Sequence, residues 1–204
     1  MLFEDTYRTI ENPSEGTFRD RGSKFLGYAY PIQSDNEIKA IVASLRSEHP
    51  KANHHCWAMR LTIDRSFFKL NDDGEPSGTA GRPILNTLLS KDLTNILVVV
   101  VRYFGGTLLG VPGLINAYKM ATEEALTHAV IFEKTVNDIY TVSFNYLQMN
   151  NIMRLIKDAD LAVLNQQFDN DCSIQVSIRK MQINMVLDKL HKLEGVSVRY
   201  DHSI

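Results

Sequence analysis

Ile96-Leu97-Val98-Val99-Val100-Val101-Arg102-Tyr103-Phe104-Gly105-Gly106-Thr107-Leu108-Leu109-Gly110-Val111-Pro112-Gly113-Leu114 decides how the chain folds. The six residues Ile96 to Val101 are all Leu, Val or Ile, the pattern of a strand covered on both faces. Four glycines follow, and Pro112 suits the first turn of a helix whose apolar stripe is Leu114, Tyr118, Ala121 and Ala125. Backbone N–H groups at such a helix start could receive an anion. Gly105 and Gly110 have P-loop spacing, but Val111 and Pro112 stand where the phosphate-contacting Lys and the magnesium-ligating Ser or Thr would be, so this is not a nucleotide-hydrolysing P-loop. The same glycines would also serve a tight turn and close packing. Arg102 and Tyr103, at the strand end, either bind a ligand or simply pair and pack.

Upstream, Phe18 to Ile32 reads as a strand or hairpin bounded by Pro31. Ser34 and Glu37 form a capping box for a helix with Ile38, Ile41, Val42 and Leu45 on one face, stopped at His49-Pro50. Residues 55–63 predict a strand with 66–70 as its hairpin partner, and 71–81 predict a long loop. Downstream from Asp138 the pattern changes. Tyr140, Val142, Phe144 and Tyr146 alternate, Ile152, Leu155, Ile156 and Ala159 fit a helix, and Leu164, Gln166 and Phe168 alternate again, as do Ile174, Val176 and Ile178. Asp169-Asn170-Asp171 predicts the turn between these last two strands. Ile183, Val186, Leu187, Leu190 and Leu193 mark a second helix capped by Gly195, and Val196 to Tyr200 predict a final strand. The order βαββαβ is ferredoxin-like. The expected class is therefore α+β with two domains, a mixed α/β domain over 1–135 and a ferredoxin-like domain over 136–204, joined near Glu133 to Asn137.

The chain has 204 residues, 44% of them hydrophobic, and a formal charge of −2 that divides into −1 on each side of residue 135. Neither part is a basic module, so nucleic-acid binding would need a local patch. The longest apolar run is too short to span a bilayer, and Met1-Leu2-Phe3-Glu4-Asp5 lacks a signal peptide's basic and apolar regions. A cytoplasmic location with no membrane partner is expected. Cys56 and Cys172 offer no disulfide framework and no cysteine-rich zinc site.

Chemistry could also sit in Asn71-Asp72-Asp73-Gly74-Glu75-Pro76-Ser77-Gly78-Thr79-Ala80-Gly81-Arg82-Pro83. Three carboxylates in four residues could hold Mg²⁺ or Ca²⁺, although the spacing is not that of an EF-hand and solvated turn carboxylates are commoner. Ser77 is not in a nucleophile elbow, because Gly74 to Gly78 has one residue too many before the serine. In His54-His55-Cys56-Trp57, strand alternation lets at most His54 share a face with Cys56, which reads as a small core residue. Trp57 and one histidine could line a groove.

These residues closely resemble the IMPACT (YigZ) family of translation-associated proteins. The matching pieces are Ser23-Lys24-Phe25-Leu26-Gly27, His55-Cys56-Trp57-Ala58, Asp72 to Arg82, and Val100 to Tyr118, in family order and spacing. The resemblance implies a first domain similar to domain IV of elongation factor G, and an RNA- or ribosome-associated role or control of translation through protein partners. Many relatives carry Lys at the position of Leu108 and Arg at that of Asn116. Their absence removes cations beside the anion site, leaves Arg82, Arg102 and Lys119, and shifts the expectation toward protein binding.

The reading is a non-catalytic regulatory protein that engages a ribosome, RNA or a translation factor through residues 71–83 and 102–118. The candidate binding residues are Asp72, Asp73, Glu75, Ser77, Thr79 and Arg82 in the loop, and Arg102, Tyr103, Gly105, Gly106, Gly110, Gly113 and Lys119 in the glycine segment. Lys24, His55 and Trp57 join them, and no motif calls for a cofactor, a metal or a catalytic residue. The rival is a hydrolase in which Asp72, Asp73 and Glu75 hold a metal and His54 or His55 assists. A third reading makes the C-terminal sheet an association scaffold.

Overall fold

The structure, a computed structural model, describes residues 5–62, 66–168 and 172–203. It is an α+β protein that divides into two units, Tyr7–Lys134 and a second built from Thr135 onward together with the segment at Asp5 and Thr6.

In the first unit, β1 (Thr6–Ile10) pairs with β7 (Ile131–Thr135), apart from the main sheet. The main sheet contains β2 (Ser14–Asp20), β3 (Ser23–Pro31), β4 (His54–Leu61), β5 (Phe67–Asn71) and β6 (Ile96–Tyr103) in the order β2-β3-β6-β4-β5, with every neighbour antiparallel. The expected hairpin is β2–β3, turning at Arg21 (φ 42°) and Gly22 (φ 82°), the left-handed pair of a type I′ turn. Helix α1 (Asn36–Glu48) covers one face; α2 (Gly81–Ser90) and α3 (Gly110–Thr127) cover the other.

This layering explains the apolar run. Ile96, Val98 and Val100 pack with α2 and α3, while Leu97, Val99 and Val101 pack with Ile38 and Leu45 of α1, and these six are fully buried. Each contributes roughly 1.5–3 kcal/mol over an exposed position. Continuous apolar strands are usual in parallel sheets, but burial on both faces is the physical cause, and it operates in this antiparallel one.

At the start of α1, the Glu37 carboxylate accepts the Ser34 N–H at 2.8 Å as a capping box requires. Ser34 Oγ instead takes the Asn36 N–H. Helix α3 sits directly on glycines. Gly16 and Gly27 face each other across β2 and β3, and a Cβ at either would collide with α3 backbone, at Glu124–Ala125 and at Ala121.

Helix α2 carries an apolar face, Ile84, Leu85 and Leu88, and Pro83 in its first turn, but no capping residue beside its start. Its N-cap position is Ala80, and the cap comes from eight residues upstream: Asp72 Oδ1 accepts the N–H groups of Ala80 at 3.1 Å and Gly81 at 2.8 Å, and Oδ2 that of Gly78 at 2.9 Å.

The second unit runs β8 (Asn137–Phe144), α4 (Met149–Asp158), β9 (Ala162–Phe168), β10 (Cys172–Arg179), α5 (Ile183–His191) and β11 (Val196–Ser203). The strand order β11-β8-β10-β9, all antiparallel, is that of a split βαβ, ferredoxin-like fold. Val142, Phe144, Ile174, Val176 and Ile178 form its core with Ile152, Ile156, Val186 and Leu190. Three details differ from the sequence pattern. Tyr146 lies past the end of β8 in a 3-10 turn and is 73% exposed. All of β9, which lies at one edge of the sheet, is exposed. Gly195 (φ 72°) turns the chain into β11 rather than capping α5, which ends four residues earlier. The turn at 169–171 lies outside the described residues. No helix among the described residues is long and apolar enough to cross a membrane.

Asp5 ties its segment to the second unit. Its buried carboxylate accepts Arg179 Nε at 2.6 Å and Nη2 at 3.2 Å, and that bond holds it below the usual carboxylate range. A depressed folded pKa stabilises above the unfolded value of about 4 and is lost as the pH falls through the folded one. Asp5→Asn should therefore flatten the loss of unfolding free energy below about pH 4; parallel acid profiles for variant and wild type would refute the contribution.

Candidate functional site

The loop 71–83 and the glycine segment meet on the α2/α3 side of the sheet. There they enclose a cleft of about 470 Å³ lined by His54, Glu75, Pro76, Arg102, Phe104 and Leu108, among others. β4 and β6 bring His54 and Arg102 together as a cross-strand pair, and the loop lowers Glu75 between them.

Glu75 Oε1 accepts Arg102 Nη1 at 2.6 Å and the Tyr118 hydroxyl at 2.8 Å, with His54 Nε2 at 3.9 Å. The side chains of Glu75 and Arg102 are 3% and 7% exposed. Arg102 also packs its guanidinium over Phe25 and Phe104. This corrects the expectation that Arg102 remains as a cation for an incoming phosphate: its charge is already neutralised inside the protein. Cys56 Sγ lies 3.0 Å from the Asp72 carbonyl, which can only accept its S–H, and 3.3 Å from the Tyr118 hydroxyl oxygen. Burial pushes both the Cys56 thiol and the Tyr118 phenol far upward, so neither is a nucleophile at neutral pH.

The acidic loop does not gather its carboxylates. Asp72 caps α2, Asp73 pairs with Arg46 at 2.6 Å and accepts the His55 N–H at 2.6 Å, and Glu75 turns into the core. Among the described residues no group of three His, Cys, Asp or Glu side chains is placed to hold a metal ion. The metal-assisted hydrolase, which needs Asp72, Asp73 and Glu75 on one ion, is corrected accordingly. Thr79 is buried and bonds the Pro76 carbonyl at 2.6 Å, whereas Ser77 and Arg82 are exposed.

The glycines divide by role. Gly105 lies against Gly22 and Ser23 so closely that a Cβ would overlap their backbone, and its N–H donates to Ser23 Oγ at 3.1 Å. The Phe104 N–H is taken by Asn53 Oδ1 at 2.8 Å. Two of the segment's N–H groups are thus spent on the fold and do not face a ligand. Gly113 presses on Leu109. Gly106 and Gly110 lie in the exposed part of the segment; a Cβ at Gly106 would meet nothing within 4 Å, and one at Gly110 only Pro112 Cδ at 3.9 Å.

Strand alternation sends four of the candidates to the α1 face instead. His55 is buried there, with burial, then Arg46, lowering its pKa, and its Nε2 has no hydrogen-bond partner among the described residues. Trp57 borders a separate hollow of about 440 Å³ beside Arg46 and Lys69, which pair with Asp73 and Asp35. Tyr103 bonds His49 Nδ1 at 2.9 Å, and Lys24 stands opposite it on β3. Of the two histidines, His54 belongs to the cleft.

What the sequence reading did not single out is the apolar rim. Phe104 is 44% exposed, Leu108 82% and Val111 52%. Large apolar residues in a glycine-rich loop, where solvated polar ones are the rule, were the available signal.

Fold and site together define a two-domain α+β protein with an apolar-rimmed cleft over a neutralised buried ion pair. The chain belongs to the IMPACT family: the family model described as the Impact N-terminal domain matches residues 21–126. IMPACT family member YigZ of Escherichia coli (strain K12) is 38% identical over 158 residues, 76% of this chain and 78% of that protein. The protein IMPACT homolog of Saccharomyces cerevisiae is 33% identical over 115 residues, 54% of this chain and 43% of its own length. A crystal structure described as a hypothetical protein superposes with a TM-score of 0.70 at 30% identity, covering 95% of this chain and 96% of that one.

Proposed function

We propose that this is a non-catalytic regulatory protein of translation that engages a ribosome, an RNA or a translation factor through residues 71–83 and 102–118, and that a protein surface is the contact these segments favour. A role in translation is supported by membership of the IMPACT family, and such a role would be consistent with a cytoplasmic location. The observation that carries the choice of partner is the cleft itself: its floor charges neutralise each other, and its rim offers Phe104, Leu108 and Val111 to solvent. Apolar anchors over a desolvated floor suit a protein side chain better than a phosphate.

Leu108 projects into solvent, so Leu108→Glu should leave stability within about 0.5 kcal/mol of wild type. In gradient co-sedimentation with ribosomes of its own host, that substitution should weaken association about tenfold, or about 1.4 kcal/mol. Association of the wild type should fall only gently as salt rises from about 50 to about 200 mM, where binding through many phosphates would collapse. Absence of wild-type protein from every ribosomal fraction would remove the ribosome from the reading, and a steep salt loss untouched by Leu108→Glu would move the contact to RNA.

A further inference from the structure

Helix α3 carries one exposed line past the cleft. Val111, Ile115 and Lys119 follow at four-residue intervals, 52%, 41% and (side chain) 55% exposed, so they stand in a row on the helix surface. The cleft holds Val111 against Pro76; a second hollow of about 390 Å³ holds Ile115 and Lys119 against Gly78 and Arg82. The two hollows therefore lie in series between α3 and a wall made of the acidic loop and helix α2, whose Asn86, Thr87 and Ser90 also line the second one. Apolar side chains line the end near Leu108, and two cations line the other.

We propose that this groove takes an extended acidic peptide of a protein partner, with apolar side chains at two alternate positions and a carboxylate at the next alternate position. The inference rests on the reading of this face as the protein's binding surface. Its spacing follows from geometry. Eight residues of helix from Val111 to Lys119 rise about 12 Å. Four residues of extended chain cover about 13 Å, and alternate side chains of such a chain point to one side. A peptide lying along α3 thus brings its first and third side chains to Val111 and Ile115 and its fifth to the gap between Lys119 and Arg82, where a carboxylate meets two cations. Glu123, 3.9 Å from the Lys119 ammonium, lines the same hollow. It repels a carboxylate placed one step further on and so limits the register. A nucleic acid would meet only two cations here, and it would lay its charged backbone along the apolar half.

The test is fluorescence polarisation of the full chain with labelled nonapeptides of sequence Gly-Ser-Leu-Ser-Leu-Ser-Glu-Ser-Gly, the same peptide with Gln or Lys for Glu, and an oligouridylate of equal length. The Glu peptide should bind about tenfold more tightly than the Gln peptide. In the double variant Arg82→Glu/Lys119→Glu the order should reverse, with the Lys peptide binding best, a result that misfolding cannot produce. Equal binding of the Glu and Gln peptides, or tighter binding of the oligouridylate, overturns the inference. Co-sedimentation with ribosomes that persists despite equal peptide binding would sink only this peptide motif. Peptide discrimination without co-sedimentation would instead sink the ribosomal reading and leave the groove.

Discussion

Glu75→Ala should cost about 3–5 kcal/mol of unfolding free energy, the range for removing one partner of a buried ion pair. The Arg102 guanidinium would be left between Phe25 and Phe104 with its 2.6 Å partner gone, and the Tyr118 hydroxyl would lose its acceptor at the same time. Arg102→Ala should cost a similar amount, because it strands a carboxylate that is 3% exposed. The double variant should then be less destabilised than the sum of the two, since neither charge remains. Urea unfolding of the four proteins measures all of this. A loss of less than about 1 kcal/mol in both single variants would mean that the pair is hydrated, and would return Arg102 to the set of cations open to a ligand. The result bears directly on function, because an Arg102 variant that loses binding by unfolding says nothing about phosphate contact.

Gly27→Ala should cost about 3 kcal/mol, at the upper end for overpacking. The added Cβ would overlap the Ala121 carbonyl and press on the Ala125 side chain, and Gly16 on the neighbouring strand already holds the helix equally close. Backbone cannot rotate away as a side chain can, so α3 must lift as a body. That helix carries Val111, Ile115 and Lys119, so binding at the groove should weaken in step with stability. The control is Gly78→Ala, where nothing lies within 4 Å and only the left-handed φ of 77° is opposed, a penalty of about 1–2 kcal/mol. Equal thermal stability of the two variants would show that α3 is not seated on Gly27 as described.

Periodicity is a local property, and what depended on it was legible. The unbroken Ile96–Val101 run marks a strand buried on both faces whether its neighbours are parallel or antiparallel, because the run records burial and not direction. Alternating apolar residues at Val142, Phe144, Ile174, Val176 and Ile178, and two amphipathic helices between strands, yield the βαββαβ order for the same reason. The start of helix α2 was not legible: Ile84, Leu85 and Leu88 mark its buried face, but its cap, Asp72, stands eight residues before Ala80. Nor was the exposure of β9 legible in its alternation, as only the sheet order shows it to be an edge strand.

The motif residues divide along the same line. Strand parity by itself separates His54 and Cys56 from His55 and Trp57. Which parity meets the acidic loop is a matter of tertiary packing. The sequence alone determined the class of fold, the strand-glycine-helix unit and the family motifs, because each is written in neighbouring residues. Only the tertiary structure decided that Glu75 neutralises Arg102 from 27 residues away, that Asp72, Asp73 and Glu75 turn to three different partners, and that Phe104, Leu108 and Val111 face solvent. Charge and apolar character are legible in a residue's name; whether they are spent inside the fold or offered at its surface depends on contacts between segments distant in the chain.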